Sequence, residues 1–151
     1  MIRLQGIEPS DKPAFWQLYK RCYEPGIRRQ FGGWDDAEHY TRFDRVWQEG
    51  ELRAVHLDGV RIGCLGFADY PDRHELIEIQ IDPDYQNRGI ATQLIQWLIA
   101  RAQQDAKPLY LNVFIASAAV GLYQRLGFEI VESSAYQHRM VRAPFQAILN
   151  T

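Results

Sequence analysis

Residues 86–91, Gln86-Asn87-Arg88-Gly89-Ile90-Ala91, place an amide side chain, a fixed positive charge and a glycine at the start of a predicted helix. A helix N-terminus carries unpaired amide hydrogens and a partial positive charge, so it can hold phosphate oxygens. Gly89 would let a phosphate approach the backbone with no Cβ in the way, and Ala91 is nearly as small. Neither the dinucleotide G-x-G-x-x-G pattern nor the nucleoside-triphosphate loop is present, because their glycines and the Lys-Ser/Thr pair are missing. On residue types alone, an anion site and a plain helix start both remain open. The two cysteines, Cys22 and Cys64, are too few for a disulfide framework and read as free buried thiols. His39, His56, His74 and His138 lack metal-ligand spacing, so no metal is expected.

Such a loop needs a strand before it and a helix after it. Residues 76–81 alternate, with Ile77, Ile79 and Ile81 on one face and Glu78 and Gln80 on the other. Residues 89–104 carry Ile90, Leu94 and Leu98 four apart, a helical stripe. Upstream, residues 2–8 read as a strand, and Ser10 caps a helix bearing Phe15, Leu18, Tyr19 and Cys22. Pro25-Gly26 is expected to end that helix, leaving residues 27–36 irregular. A second helix starts at Asp35 or Asp36, and Asp58-Gly59 joins strands 52–57 and 60–68 in a hairpin. Downstream come a strand at 109–114, a helix at 117–126 stopped by Gly127, and closing strands at 128–132 and 136–142. The order β-α-α-β-β-β-α-β-α-β-β predicts a mixed sheet with helices on both faces.

The chain has 151 residues, enough for one domain over 1–151 with a core that needs no disulfides. A net charge of -2 argues against nucleic acid or an anionic membrane as partner. No apolar run approaches a membrane span, and the first residues lack a signal-peptide profile, so a cytoplasmic location is the expectation.

Residues 83–91, Pro-Asp-Tyr-Gln-Asn-Arg-Gly-Ile-Ala, resemble the pyrophosphate-binding motif Q/R-x-x-G-x-G/A of the GNAT acetyltransferase superfamily. A second match follows in register: the strand Leu109-Tyr110-Leu111-Asn112-Val113, then Ala119, Leu122-Tyr123 and Leu126-Gly127-Phe128. Together they cover residues 76–131, and the order of elements extends the likeness along the chain. The resemblance implies an α/β, GNAT-like fold with a mostly antiparallel sheet of six to seven strands. One β-α-β unit would bind acetyl-CoA as cosubstrate, and the activity would be acetyl transfer to an amine.

By that resemblance, the strand before the motif carries a bulge and splays from its neighbour, and backbone groups of Ile79 and Ile81 pair with the pantetheine arm. A strand edge freed in this way exposes hydrogen-bonding groups that a peptide-like arm can satisfy. The amides of Asn87, Arg88, Gly89, Ile90 and Ala91 would hold the pyrophosphate, with the Gln86 and Arg88 side chains beside it. Tyr123 matches a tyrosine that acts as general acid in many relatives; the alternative is an aromatic packed with Ala119, Leu122 and Leu126. Glu78 lies where relatives place a catalytic carboxylate or a water-holding group; the alternative is a surface-facing Glu. His74 and Glu75 are weaker candidates for the base. Ser117 stands where many relatives have a coenzyme-contacting Asn. Asn112 stands where some protein N-terminal acetyltransferases have Glu, which argues for a small-molecule amine over a protein.

In the family the first two helices and their connection form the acceptor side. Phe31, Trp34 and Tyr40, with Asp35 or Asp36, suit a cationic amine, and Arg28 and Arg29 suit a carboxylate or the coenzyme's 3′-phosphate. A surface loop with an Asp-capped helix is the plainer reading. A non-catalytic acyl-CoA-sensing module and transfer of a longer acyl chain are the competing functions. The apolar tail 143–149 leaves a homodimer open.

Overall fold

The computed structural model describes residues 1–145. Its elements are β1 (Ile2–Gln5), α1 (Lys12–Phe31), α2 (Asp36–Glu49), β2 (Leu52–Leu57), β3 (Val60–Asp69), β4 (His74–Ile81), α3 (Ile90–Gln104), β5 (Leu109–Phe114), α4 (Ala119–Arg125), β6 (Glu129–Ser133) and β7 (Gln137–Arg142). The seven strands form one mixed sheet in the order β1-β2-β3-β4-β5-β7-β6. This is the α/β architecture expected, with the element order unchanged. The described residues divide into two compact units, Met1–Ala68 with Ile77–Gln93, and Asp69–Leu76 with the residues from Leu94 onward.

In the first unit, β1 and β2 are antiparallel, and β2 and β3 close the hairpin across Asp58 and Gly59, whose φ angles of 49° and 84° suit a tight two-residue turn. Gly63 of β3 lies hard against β4, since a Cβ there would meet the Gln80 carbonyl oxygen at 2.1 Å. The helices α1 and α2 bring an aromatic core onto these strands: Phe15, Tyr19 and Phe43 are buried with Leu52, Ala54 and Cys64. Trp16, Tyr23, Trp34 and Trp47 pack around them.

The course of α1 differs from the expectation. The helix does not stop at Pro25-Gly26 but runs on to Phe31, ending at Gly32 with φ 78° and its N–H bonded to Arg28 O at 2.9 Å. An interior proline removes one backbone bond, here the one to the Arg21 carbonyl, yet its fixed φ is helical, and tertiary packing of the rest carries the helix through. Residues 27–31 are therefore helical and not irregular. Ser10 is not the cap either; it lies within a short 3-10 turn, Pro9–Asp11, where Glu8 N donates to Asp11 Oδ2 at 2.9 Å. By contrast α2 starts as expected, with Asp35 accepting from the Glu38 amide. The alternation of β4 is also imperfect, because Gln80 and Ile81, adjacent in sequence, are both buried.

In the second unit the first residues of β4 run parallel to β5, pairing His74 with Leu109 and Leu76 with Leu111. Strand β5 pairs antiparallel with β7, and β7 with β6. Leu98, Ala102, Leu109, Leu111, Phe128 and Met140 are buried there. Gly127, at φ 95°, turns the chain after α4 as its type suggested.

Candidate active site

The 86–91 loop belongs to the first unit and is built by what precedes it. Asp82 Oδ1 accepts from Asp84 N at 2.9 Å and so starts a 3-10 turn, Pro83–Tyr85. The Gln86 amide folds back and donates to Ile81 O at 2.8 Å, tying loop to strand. Arg88 donates to Asp84 O at 3.1 Å and lies over the Tyr85 ring. Asn87 (φ 63°) and Gly89 (φ 78°) are both left-handed, the alternation that curls successive N–H groups into an anion-binding nest. A Cβ at Gly89 would meet nothing within 4 Å, so that side of the backbone is open. Open left-handed amides leading into the N-terminus of a long helix fit a pyrophosphate.

Glu78 is half-buried on β4. The hydroxyl of Tyr23, on α1, donates to Glu78 Oε1. The Ile79 amide and the Gln80 side chain also bond to this carboxyl. Burial dominates over all three bonds and pushes the group up to about 7. Gln80 is only 4% exposed, and its Oε1 is buried without a hydrogen-bond partner among the described residues. Cys22 Sγ, next to Tyr23, donates to Ile81 O at 3.3 Å, and burial raises its thiol to about 12. Cys64 is fully buried, with its thiol raised by burial as well. Both cysteines are free, and neither is an activated nucleophile. Arg21, one residue earlier, holds Asp82 at 2.9 Å and Asp84 at 3.3 Å. Three consecutive residues of α1 thus grip the end of β4 and the turn into the loop.

In the second unit, Tyr123 is 5% exposed on α4, with its ring edge-on to Phe128 at 5.7 Å. Ser117 Oγ accepts from Ala119 N at 3.1 Å, one residue before Ala118, the N-cap of α4. Asn112 Oδ1 accepts from Arg139 at 3.3 Å. Glu75 is a poor base: burial alone would raise it, but the guanidiniums of Arg139 and Arg73 outweigh that and hold its carboxyl below its ordinary value. His74 is buried, with Nε2 at 2.7 Å from Asp105 and 3.4 Å from Asp69. These three offer ligand atoms within 4.8 Å of one another, a grouping invisible to spacing because Asp105 is far from the other two in sequence. Lys107 Nζ already sits 3.0 Å from Asp69 and supplies positive charge there. The group reads as an ion-paired clip.

Of the residues expected on the acceptor side, Trp34 and Tyr40 join the aromatic cluster of the first unit. Trp34 stacks on His39 at 3.8 Å and donates Nε1–H to Asp36 at 3.0 Å. Tyr19 OH lies 3.3 Å from His39 Nδ1, and burial lowers the affinity of that imidazole for a proton. Tyr40 is half-exposed and edge-on to Trp16 at 5.1 Å. Phe31, 56% exposed, ends α1, and Arg28 pairs with Glu24 within that helix. Nothing in the local sequence marks Tyr23, because its partner lies 55 residues away.

The family model described as Acetyltransferase (GNAT) family matches residues 12–128. The [ribosomal protein bS18]-alanine N-acetyltransferase of Escherichia coli K12 is 28% identical over 131 residues, covering 85% of this chain and 81% of that protein. A mycothiol acetyltransferase of Mycobacterium is 26% identical over 132 residues, covering 81% of this chain and 43% of that protein. Among solved folds, the PaiA N-acetyltransferase of Thermoplasma acidophilum in complex with coenzyme A superposes with TM-score 0.65 at 14% identity, covering 95% of this chain and 99% of that one. With the family model spanning most of its length, the chain belongs to the GNAT family of acetyl-CoA-dependent N-acetyltransferases.

Proposed function

We propose that the chain acetylates a primary amine by direct attack on the bound thioester, with Glu78 as general base and Tyr123 as general acid. The observation that carries this reading is the Glu78 carboxyl, half-buried, hydrogen-bonded to Tyr23 and raised to about 7. A base is most effective when its pKa lies near the working pH. Glu78 takes a proton from the amine as the nitrogen lone pair forms the new C–N bond. The C–S bond then breaks, its electron pair leaves on sulfur, and the Tyr123 hydroxyl protonates the thiolate.

Acetyl-CoA is held in this reading by the amides of Asn87, Arg88, Gly89, Ile90 and Ala91, with the charge of Arg88 nearby. Gln86 acts indirectly, by fixing the loop to Ile81. Backbone groups of Ile79 and Ile81 pair with the pantetheine arm, and Ser117 contacts the coenzyme. Gly89→Ala forces a Cβ into left-handed backbone at a cost of roughly 1–2 kcal/mol. Its expected effect is a rise of about tenfold in KM for acetyl-CoA, with kcat for the amine little changed. Tyr123→Phe is expected to do the reverse, lowering kcat about 10–100-fold while sparing coenzyme affinity. Steady-state kinetics with each substrate varied in turn checks both.

The acceptor favoured by Asn112 is a small-molecule amine, approached over Phe31, Trp34 and Tyr40. A second reading, the α-amine of a protein N-terminus, is favoured by the likeness to the enzyme named for alanine of a ribosomal protein. A thiol-release assay with acetyl-CoA decides between them, using aliphatic mono- and diamines in one arm and peptides beginning with Ala in the other. Turnover confined to the peptides overturns the small-molecule assignment. Tight acetyl-CoA binding with no turnover in either arm overturns the mechanism.

A further inference from the structure

We propose that Tyr23 is a positioning residue for the reaction: its hydroxyl, carried on α1, fixes the Glu78 carboxylate in the orientation that receives the acceptor's proton. This rests on the reading of Glu78 as base. Glu78 sits on a strand, and a carboxylate two methylenes from the backbone has rotamers to choose among. The Ile79 amide and the Gln80 side chain come from the same strand and constrain it only locally. Tyr23 is the bond from a different element, and its ring is locked in turn. It packs at 4.7 Å on Tyr19, which is buried and packs on Trp34 at 6.3 Å and Phe43 at 5.8 Å. A rigid phenol in an aromatic stack is a better anchor than a flexible donor, because little freedom is lost when it bonds.

The groups around Glu78 are few in kind. Tyr19, Cys22 and Tyr23 face it from α1 and Cys64 from β3, and burial raises all four, keeping them neutral near pH 7. Asp82 reaches Cys22 from the end of β4, and from α2 His39 and Arg42 act on Tyr19, one ring further away. A donor to the carboxylate favours its ionised form, so Tyr23 opposes the effect of burial.

The test is Tyr23→Phe, which keeps the ring and removes only the hydroxyl. Its pH profile of kcat/KM is taken with two amines of different basicity, so that the limb common to both belongs to the enzyme. We expect that limb to move up by about one pH unit, the plateau to fall about tenfold, and KM for acetyl-CoA to stay put. In parallel, carbon-13 labelling of the glutamate side chains follows Glu78 directly, with Glu78→Gln assigning the signal. Should the carbon titration of Glu78 be the same in wild type and Tyr23→Phe, the proposal for Tyr23 is wrong. Should it move while the turnover limb does not, Tyr23 still controls the carboxyl but Glu78 is not the base. A difluorotyrosine at position 23, a stronger donor of nearly equal size, gives an opposite shift and guards against misfolding of the phenylalanine variant. No downward movement with that residue also overturns the proposal.

Discussion

Glu78→Gln is expected to lower kcat/KM for the acceptor amine by about 10²–10⁴-fold, the usual worth of a positioned general base. The wild-type rate should fall as pH drops below about 7, because the carboxyl then holds its proton and cannot take another. In the variant that limb disappears. Stability should change in the opposite sense. The carboxyl is raised in the folded chain above its ordinary 4.5. Below that ordinary value it is protonated in both folded and unfolded chains and contributes no difference. As pH rises towards 7 the unfolded chain ionises first, so folded wild type loses stability and then levels off. Glutamine removes this penalty. Denaturant melts should show the variant equal to wild type in acid and more stable above neutrality, by on the order of 3 kcal/mol. A rate that falls while stability rises is the signature of a strained functional group, and a structural Glu would not give it.

The second large effect concerns Gly63. A methyl group there would lie 2.1 Å from the Gln80 carbonyl oxygen and 3.1 Å from Ile81 Cδ1. The oxygen belongs to a paired strand and cannot rotate away, so β3 and β4 must separate. Overpacking of this kind costs about 3 kcal/mol, which for a chain of this size lowers Tm by roughly 6–12 °C. Gly26→Ala is the matched control: it lies in α1, where a Cβ meets only the end of Arg29 at 3.7 Å. Alanine in a helix interior is favourable by up to about 1 kcal/mol relative to glycine. Thermal melts of both variants should move in opposite directions. Loss of activity in Gly63→Ala at temperatures where it stays folded would trace to Gln80 and Glu78, which the displaced strand carries.

What the residues announce in advance is local chemistry. Asp58-Gly59, the Asp35 cap and Gly127 were legible because each is a residue type matched to one backbone need, and each appears where expected. The 86–91 loop was legible as a motif, and the two left-handed residues Asn87 and Gly89 give that motif a backbone shape. Tertiary decisions were not legible. Pro25 looked like a stop, but packing of the apolar stripe outweighed the lost bond, and α1 kept six more residues, 26–31. Glu78 is paired with Tyr23, and His74 with Asp69 and Asp105; no pattern of neighbours in sequence reports those pairings.

The proline within α1 has a consequence for how such a protein can change. Up to Tyr23 the helix is tied down by Arg21, Cys22 and Tyr23, which bond to Asp82, Ile81 and Glu78. Two residues later the backbone bond to Arg21 is missing, so the turns carrying Arg28, Arg29 and Phe31 are joined to the anchored part by the weakest link in the helix. Substitutions there can bend or reshape the distal turns without passing strain back to Glu78 or the 86–91 loop. The helix is therefore modular in a heritable sense: under the proposed function, mutation beyond Pro25 changes the preference for the incoming amine while Glu78 and the 86–91 loop, tied down before it, keep their places.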